Sequence, residues 1–320
     1  MSATWSDIIL DTADPTVAWA NIFEKLLETS KSCTSPVALH DLTVPADRLL
    51  SEAGWELWAA YPEFASRTST VLKAWCSEST TNGKAVLILD ALSLRELHLI
   101  LSGAEARTIG ISNVAVTGAE CPSTTDQFAS AIGIPSRASF ANDTKPNSFK
   151  MISDPLYTDV LSLPFEDCAI PPVSNILIWH TWLDDLIHLQ NKLPDQIAAN
   201  ALSTLQGVGF WSFINKLRQG RNLVITSDHG YAVSKLYSSQ VADPDAIEVL
   251  RQTFGASRYA KVTGPLPKRF MPPLVMTANQ QHVITGQWKW KVQGGFPHVC
   301  HGGMSLLEVA VPWIELEAIR

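Results

Sequence analysis

Residues 85–90 read AVLILD, a short run of branched apolar side chains that ends in the carboxylate of Asp90. Two further runs have a similar form, NILIWH at 175–180 and LVIT at 223–226. Continuous apolar runs of this length are typical of strands buried on both faces, as in a parallel sheet between helices. The chain is therefore predicted to be an α/β protein with a mostly parallel central sheet flanked by helices.

Acidic and histidine side chains stand at or soon after the ends of these runs, and again near the end of the chain. The set is Asp90, Asp184, His188, Asp228, His229 and His301. In open α/β sheets the ligand site lies beyond the carboxyl ends of the strands, and carboxylate and imidazole groups are ligands of divalent metal ions. The ordered set therefore predicts a metal site at this edge of the sheet.

Two short patterns in this set also have simple local interpretations. Asp184 and His188 are four positions apart, so on a helix they share a face and can chelate together, although such a pair is more often a surface pair. Asp228-His229-Gly230 follows a strand, and Gly230 is expected to permit a tight turn, the commoner role of such a tripeptide. The metal site is predicted from the combination and not from either pattern alone.

The N-terminal region, residues 1–80, is predicted to be a helical appendage. Asp14 is expected to cap a helix that begins at Pro15, and Pro62 is expected to interrupt a later helix. The region is rich in tryptophan, which would suit either a partner-binding face or packing against the main domain. Packing against the main domain is the favoured interpretation.

The main domain is predicted to span residues 81–320 and to contain two irregular regions. Residues 133–172 are rich in Ser, Pro, Asn and Asp, and they are expected to form a long connection that lies as a loop over the site. Residues from about 231 to 297 separate the Asp-His-Gly tripeptide from the last histidine of the set. They are expected to form a small cap insertion.

Composition limits the classes of protein to which the chain can belong. Of its 320 residues 46% are hydrophobic and 17% are charged, which indicates a compact globular protein. The formal net charge of -7 argues against a general nucleic-acid coat protein. The five cysteines are scattered without C-x-x-C spacing, and no apolar stretch approaches the about 20 residues that span a membrane. The chain is expected to be cytoplasmic and not associated with a membrane.

One segment departs from the acidic average. Residues 251–301 contain seven Lys or Arg and no Asp or Glu. Such a segment predicts a nearby anionic substrate or partner, or else a chance run that acidic neighbours balance in space. Trp288 and Trp290 in the same segment would be suited to stacking on nucleic-acid bases.

From about residue 84 to its end the chain resembles the PglZ-type members of the alkaline phosphatase superfamily. The motifs that carry the resemblance are VLILDALSLRE at 86–96, PSTT at 122–125, Asp184 with His188, DHG at 228–230, and HGGMSLLE at 301–308 followed by VAVP. The last is the most specific. The resemblance implies an alkaline phosphatase-like core and a metal-dependent phosphoesterase, either a phosphodiesterase or a phosphatase. Because PglZ relatives are associated with bacterial phage defence, it also implies nucleotide or nucleic-acid substrates and phage-defence partner proteins.

The resemblance further implies two divalent metal ions, Zn²⁺ or alternatively Mn²⁺. One ion would be held by Asp184, His188 and His301, and the other by Asp90, Asp228, His229 and the hydroxyl of the nucleophile. In related phosphodiesterases the nucleophile is the second threonine of a Pro-Thr-x-Thr element. The corresponding residue here is Thr125, with Thr124 and Ser123 as alternatives.

Several neighbouring residues have weaker claims to a role. Ser93 and Arg95 are candidate substrate-binding residues, although Arg95 could equally form an ion pair on a helix surface. His298 is a rival to His301 that lacks the following glycine pair, and Asp185 is a rival to Asp184 at the less suitable spacing; His180 is a possible spare ligand. A non-catalytic interaction module that keeps the fold, and docks into a larger complex through its N-terminal helices, remains the alternative function.

Overall fold

The structure is a computed structural model and describes residues 3–33, 35–141, 156–189, 193–237 and 239–319. The α-helices are α1 (Trp5–Ile9), α2 (Pro15–Ser32), α3 (Pro36–Glu52), α4 (Trp55–Phe64), α5 (Thr68–Ser77), α6 (Leu94–Glu105), α7 (Thr125–Ile132), α8 (Trp182–His188), α9 (Pro194–Gln206), α10 (Val208–Arg218), α11 (Pro244–Phe254) and α12 (Leu306–Val309). The strands are β1 (Gly83–Leu89), β2 (Ile111–Gly118), β3 (Leu156–Leu161), β4 (Asn175–His180), β5 (Arg221–Thr226), β6 (Ala232–Val233), β7 (Ser239–Gln240), β8 (Tyr259–Lys261), β9 (Val275–Ala278), β10 (Gln281–Ile284), β11 (Trp288–Lys289), β12 (Val299–Cys300) and β13 (Ala310–Leu316).

The central sheet has six strands in the order β2-β13-β5-β1-β4-β3. β1 is parallel to β4 and β5, β3 is parallel to β4, and β13 is antiparallel to both β2 and β5. Alternate side chains of β1 enter different clusters of the core: Leu87 packs in one with α6 and α10, and Ile88 in another with α5 and α7. The sheet is therefore mostly parallel and covered by helices on both faces, which confirms the predicted α/β class.

The sequence also predicts a strand through 114–116, in agreement with β2, but two other strands of the sheet were not predicted from it. β3 lies within the connection expected over 133–172. Residues 142–155 of that connection, with the loop expected over the site, lie outside the described residues. β13 contains Pro312, and proline is unusual in a central strand. The ladder between β13 and β5 covers only Ile314 to Leu316, so Pro312 lies beyond it. The carbonyl of Pro312 instead accepts a hydrogen bond from the Thr226 side chain, at 2.9 Å.

The N-terminal helices α1–α5 pack with the main sheet, and most of their large aromatic side chains are buried. Trp19 and Trp58 are 0% and 1% exposed and lie in the same hydrophobic cluster as β1 and β5, in agreement with core packing. The expected interruption at Pro62 is wrong, because α4 continues through Pro62 to Phe64. None of the helices in the described ranges is long and apolar enough to cross a membrane.

Between β5 and β13 the chain forms a small group of elements with its own apolar cluster. β8, β10 and β9 make a three-stranded sheet, and α11 packs beside it through Leu250 and Phe254. Trp290 is 2% exposed, contacts Phe254 and Phe296, and donates its indole N–H to the Gly255 carbonyl. Trp290 is therefore part of this core, and the expectation that it could stack on bases is wrong.

Three of the seven cations in the basic segment 251–301 are paired with acidic side chains from outside it. Its ion pairs are Arg251 with Glu248, Arg258 with Glu308 and Lys268 with Asp243. A cation that is already paired contributes less to the field that attracts an anionic partner. The segment is thus balanced only in part, because Lys261, Arg269, Lys289 and Lys291 form no ion pair with a described residue.

Asp47 of α3 connects the N-terminal helices to the end of the main domain. Its carboxylate is 1% exposed and accepts hydrogen bonds from the Leu306 N–H at 2.9 Å and the Gln287 side-chain amide at 2.8 Å. Burial raises the pKa of Asp47 to about 7. The folded protein therefore binds a proton at Asp47 more tightly than the unfolded chain, in which the pKa is about 4.

Replacing Asp47 by asparagine is expected to flatten the dependence of stability on pH. The raised pKa of Asp47 contributes to the free energy of unfolding, and this contribution is fully present below about pH 4 and is lost as pH rises through about 7. The wild type should therefore lose stability over this range. In Asp47→Asn the new amide can donate to Gln287 Oε1, a buried atom that has no hydrogen-bond partner among the described residues. Urea unfolding at pH 5 and pH 8 measures the effect. Asp41→Asn, on the exposed side of α3, is the matched control, and an Asp47→Asn slope equal to that of the wild type would contradict the prediction.

Candidate metal centre

Three adjacent strands bring the predicted ligands to one edge of the sheet. β5, β1 and β4 are neighbours that run in the same direction, so their carboxyl ends lie side by side. Asp90 directly follows β1, Asp228 follows β5 by two residues, and Asp184 lies in the first turn of α8, just after β4. The antiparallel strand β13 enters the sheet next to β5, and the segment that precedes it carries His301.

The first group of candidate ligands surrounds the Thr125 hydroxyl. One ligand atom from each of Asp90, Asp228 and His229 lies within 4.8 Å of the others. Thr125 Oγ1 donates to Asp228 Oδ2 at 2.8 Å and lies 3.5 Å from Asp90 Oδ1 and 3.4 Å from His229 Nε2. The other Asp228 oxygen accepts from the Ala91 N–H at 3.2 Å. These contacts fix both carboxylates against the hydroxyl.

The second group consists of Asp184, His229 and His301, with ligand atoms again within 4.8 Å of one another. His188 lies at its rim, with Nε2 3.2 Å from Asp184 Oδ1 and 3.1 Å from His301 Nε2. The rings of His229 and His301 stack with their centroids 4.4 Å apart. The structure therefore brings together all six predicted ligands. It also places His229 between the two groups, which the sequence did not indicate.

The orientation of His229 provides a test of whether a cation fits. Its Nδ1 faces the Gly230 carbonyl at 2.9 Å, so in the neutral ring Nδ1 carries the hydrogen and Nε2 is an acceptor. That Nε2 faces Asp228 Oδ2 at 3.4 Å and Asp90 Oδ1 at 3.8 Å. An acceptor that faces two carboxylates is repelled unless a cation lies between them. A carbonyl that fixes the tautomer is also the usual support of a metal-binding histidine, so the donor set fits a divalent ion.

Burial and neighbouring charges shift the pKa values of two candidate ligands, Asp90 and His301. Burial, together with the neighbouring charges of Asp228 and Asp184, raises the pKa of Asp90 well above its usual range. Burial lowers the pKa of His301 to about 3, so its imidazole is neutral at physiological pH. A neutral imidazole beside crowded carboxylates is the form that binds a metal ion.

The three candidate hydroxyls have different environments. Ser123 Oγ donates to the Gly303 carbonyl at 2.7 Å and accepts from the Gly302 N–H at 3.1 Å, so it is used to hold the segment that follows His301. The Thr124 side chain caps α7 and accepts from the Gln127 N–H. Of the three hydroxyls, that of Thr125 is the one that contacts the candidate ligands.

The structure does not bring Ser93 and Arg95 into this cluster. Ser93 caps α6 as part of a capping box with Glu96. The Arg95 side chain is buried, donates to the Tyr231 carbonyl at 2.5 Å and packs over the Tyr231 ring. Through these contacts Arg95 supports the chain after His229. Arg95 therefore has neither of the two predicted roles, a surface ion pair or a contact with phosphate.

The rival ligands also lie apart from the cluster. His180 is 1% exposed, faces the Leu163 carbonyl at 3.0 Å, and stacks on Phe165. Asp185 is exposed and accepts from the Thr181 hydroxyl, and His298 is exposed. Asp184, which was favoured over Asp185, lies among the candidate ligands, and so does His301, which was favoured over His298.

The glycines beside the ligands allow close approach of other groups. Gly230 does not have a positive φ, so the expected turn does not need the conformational freedom of glycine. A Cβ at Gly230 would instead overlap the Leu307 carbonyl oxygen, and one at Gly303 would overlap the Arg258 guanidinium. Gly302 has φ 93, in the left-handed region that favours glycine. Gly302 thus lets the chain turn after His301, and Gly303 lets the chain pack closely against Arg258.

One residue of the site was missed entirely. Arg137, in the 3-10 helix Arg137–Phe140, forms an ion pair with Asp90 and lies 3.8 Å from Asp184 Oδ2. Trp179 of β4 donates its indole N–H to the same Asp90 oxygen, at 2.9 Å. No motif or spacing marked Arg137, because it lies in the Ser- and Pro-rich stretch after α7.

No family model matches this chain, and neither does any curated protein. Among solved structures it is similar to murine ectonucleotide pyrophosphatase/phosphodiesterase 5, at 16% identity over 74% of this chain and 88% of that chain, with a TM-score of 0.41. The human form of that protein gives 13% identity over 74% and 88%, with a TM-score of 0.39. Phosphonoacetate hydrolase from Sinorhizobium meliloti 1021 gives 10% identity over 74% and 90%, with a TM-score of 0.41. These values are low, so what this chain does has to be inferred from its own site residues.

Proposed function

We propose that this chain is a metal-dependent phosphoric ester hydrolase, a phosphodiesterase or phosphatase with Thr125 as its nucleophile. The observation that carries the proposal is the place of the Thr125 hydroxyl, within 3.5 Å of Asp90, Asp228 and His229. Thr125 is also the first residue of α7, where free backbone N–H groups favour a phosphate anion. A hydroxyl among metal ligands at a helix N-terminus is suited to attack phosphorus.

The residues present would hold two ions, Zn²⁺ or Mn²⁺. Asp90, Asp228 and His229 would hold one beside Thr125, and Asp184, His188 and His301 the other, with His229 close enough to contribute to both. Bound divalent ions lower the pKa of a hydroxyl or water and compensate charge on phosphoryl oxygens.

The Thr125 hydroxyl gives its proton to Asp228, with which it already forms a hydrogen bond. Its oxygen then forms a bond to phosphorus as the bond to the ester oxygen breaks. The leaving oxygen takes up a proton from water and departs as the alcohol, and a phospho-threonine remains. Attack by water at the same phosphorus releases phosphate, or the phosphomonoester when the substrate is a diester, and restores the hydroxyl.

We assign the chain more finely to the PglZ type of the alkaline phosphatase superfamily, acting on nucleotides or nucleic acid in phage defence in the cytoplasm, alongside partner proteins. Support for this assignment comes from the ordered motifs, above all HGGMSLLE at 301–308. The pairing of three of the seven cations in the basic segment and the burial of Trp290 weaken the argument for nucleic acid at that segment. A panel of mononucleotides, cyclic dinucleotides and short oligonucleotides would identify the substrate.

Metal titration tests the proposed reaction. Metal-free, full-length protein titrated with Zn²⁺ or Mn²⁺ is expected to bind two ions per chain and then to hydrolyse a chromogenic phosphodiester or phosphomonoester. Asp184→Asn is expected to weaken metal binding about 10- to 100-fold or more. Asp185→Asn, one residue along but exposed, is the matched control and should bind metal as the wild type does. A chain that hydrolyses neither ester with any metal and co-purifies with a partner would instead be the interaction module.

A further inference from the structure

Arg137 lies between the two groups of candidate ligands. Its Nη1 is paired with Asp90 Oδ2 and lies 3.8 Å from Asp184 Oδ2. Asp90 belongs to the group that contacts Thr125, whereas Asp184 belongs to the other group. One guanidinium therefore bridges the two halves of the site.

The backbone around Arg137 is held by a buried aromatic cluster. Phe140, in the same 3-10 helix, is 0% exposed and packs on Trp179, with ring centroids 6.4 Å apart. Trp179 also contacts Phe128 of α7, at 5.5 Å, and donates to Asp90. The cluster thus joins the element that carries Arg137 to the helix that begins at Thr125. A side chain on such a fixed element keeps its distance from the reacting groups.

The guanidinium is also accessible and has donors to spare. The Arg137 side chain is 29% exposed, whereas those of Asp90 and Asp184 are 0% and 12% exposed. In the described part of the chain, its contacts with these carboxylates use Nη1, and Nε and Nη2 make no hydrogen bond to another described residue. As far as the described residues go, Nε and Nη2 are therefore available to an anion that approaches the cluster from solvent.

We propose that Arg137 binds the phosphoryl oxygens of the substrate, an inference that rests on the proposed function. Asp90 and Asp184 attract Arg137 while they are negatively charged, and divalent ions on these carboxylates would compensate that charge. A guanidinium beside two cations is then stable only with an anion between them. A phosphoryl group supplies that anion, and its oxygens match the planar fork of arginine. Arg137 therefore couples the metal ions to the bound phosphoryl group.

Calorimetric titration of inorganic phosphate into the metal-loaded, full-length protein tests this role. Arg137→Gln is expected to bind phosphate about 10- to 100-fold more weakly than the wild type, the effect of one lost charge-assisted contact. Arg137→Lys keeps the charge without the fork and should show a smaller loss. Affinity for Zn²⁺ or Mn²⁺ without phosphate should be equal or tighter in Arg137→Gln, because a competing cation has gone. Arg251→Gln, at an exposed arginine of α11, is the control and should match the wild type.

The results separate this inference from the proposed function. A wild-type chain that binds no metal contradicts the proposed function itself. If the wild type binds metal and phosphate, and Arg137→Gln binds phosphate equally well, only the role of Arg137 is overturned. If Arg137→Gln loses metal affinity while phosphate binding to the loaded protein is unchanged, Arg137 acts by positioning Asp90, and the proposal is again wrong.

Discussion

Thr125→Ala is expected to abolish ester hydrolysis while both metal ions remain bound. The variant loses the oxygen that attacks phosphorus, and removal of a nucleophile costs about 10³-fold or more in turnover. The carboxylates and imidazoles of the site are unchanged, and Asp228 keeps its hydrogen bond from the Ala91 N–H. Chromogenic assays with metal-loaded protein, together with elemental analysis of the same samples, measure the two effects separately.

Variants at neighbouring hydroxyls are the controls for this result. Thr125→Ser keeps a hydroxyl at the same position and should retain part of the activity. Thr124→Ala removes only a helix cap, so stability is expected to fall by about 1 kcal/mol with the chemical step intact. Ser123→Ala removes a hydrogen bond to Gly303 and should weaken metal binding through His301. Activity that survives in Thr125→Ala and disappears in Thr124→Ala, with metal retained, would move the nucleophile to Thr124.

The sequence was sufficient to predict the strands that build the site. The middle of each of β1, β4 and β5 is buried on both faces and has to be apolar, and this local property is visible in 85–89, 176–179 and 223–225. A carboxylate or histidine after such a run interrupts the apolar pattern. The positions of Asp90 and Asp228 could therefore be inferred without knowledge of the strand order.

Features that depend on contacts between distant segments could not be predicted in this way. β3 is an edge strand with three partly exposed residues, and β13 contains Pro312, so neither has the continuous apolar pattern. Arg137 reaches Asp90 across 47 positions of the chain, and nothing near Arg137 in the sequence indicates the contact. Arg95 was given a substrate role because it is close to Asp90 in sequence, but its position on α6 directs it to Tyr231.

Arg258→Met is expected to destabilise the protein by about 3–5 kcal/mol, because it leaves a buried carboxylate without its partner. Arg258 and Glu308 are both 0% exposed and form two parallel hydrogen bonds, of 2.9 and 2.8 Å. The guanidinium also donates to the Gly286 and Trp288 carbonyls. Since a domain is typically stable by only about 5–15 kcal/mol, this is a large loss, and urea unfolding will measure it.

The effect should extend to the metal site, because Glu308 also accepts the Gly303 N–H at 3.0 Å and so holds the chain after His301. Metal affinity is therefore expected to fall in Arg258→Met. Adding Glu308→Gln removes the uncompensated charge, so the double variant should be more stable than the sum of the single losses predicts. Arg251→Met breaks an exposed pair with Glu248 and should change stability by less than about 1 kcal/mol. Strictly additive losses in the free energy of unfolding would mean that Arg258 and Glu308 act independently. In that case the buried pair would not connect the region between β5 and β13 to the segment that carries His301.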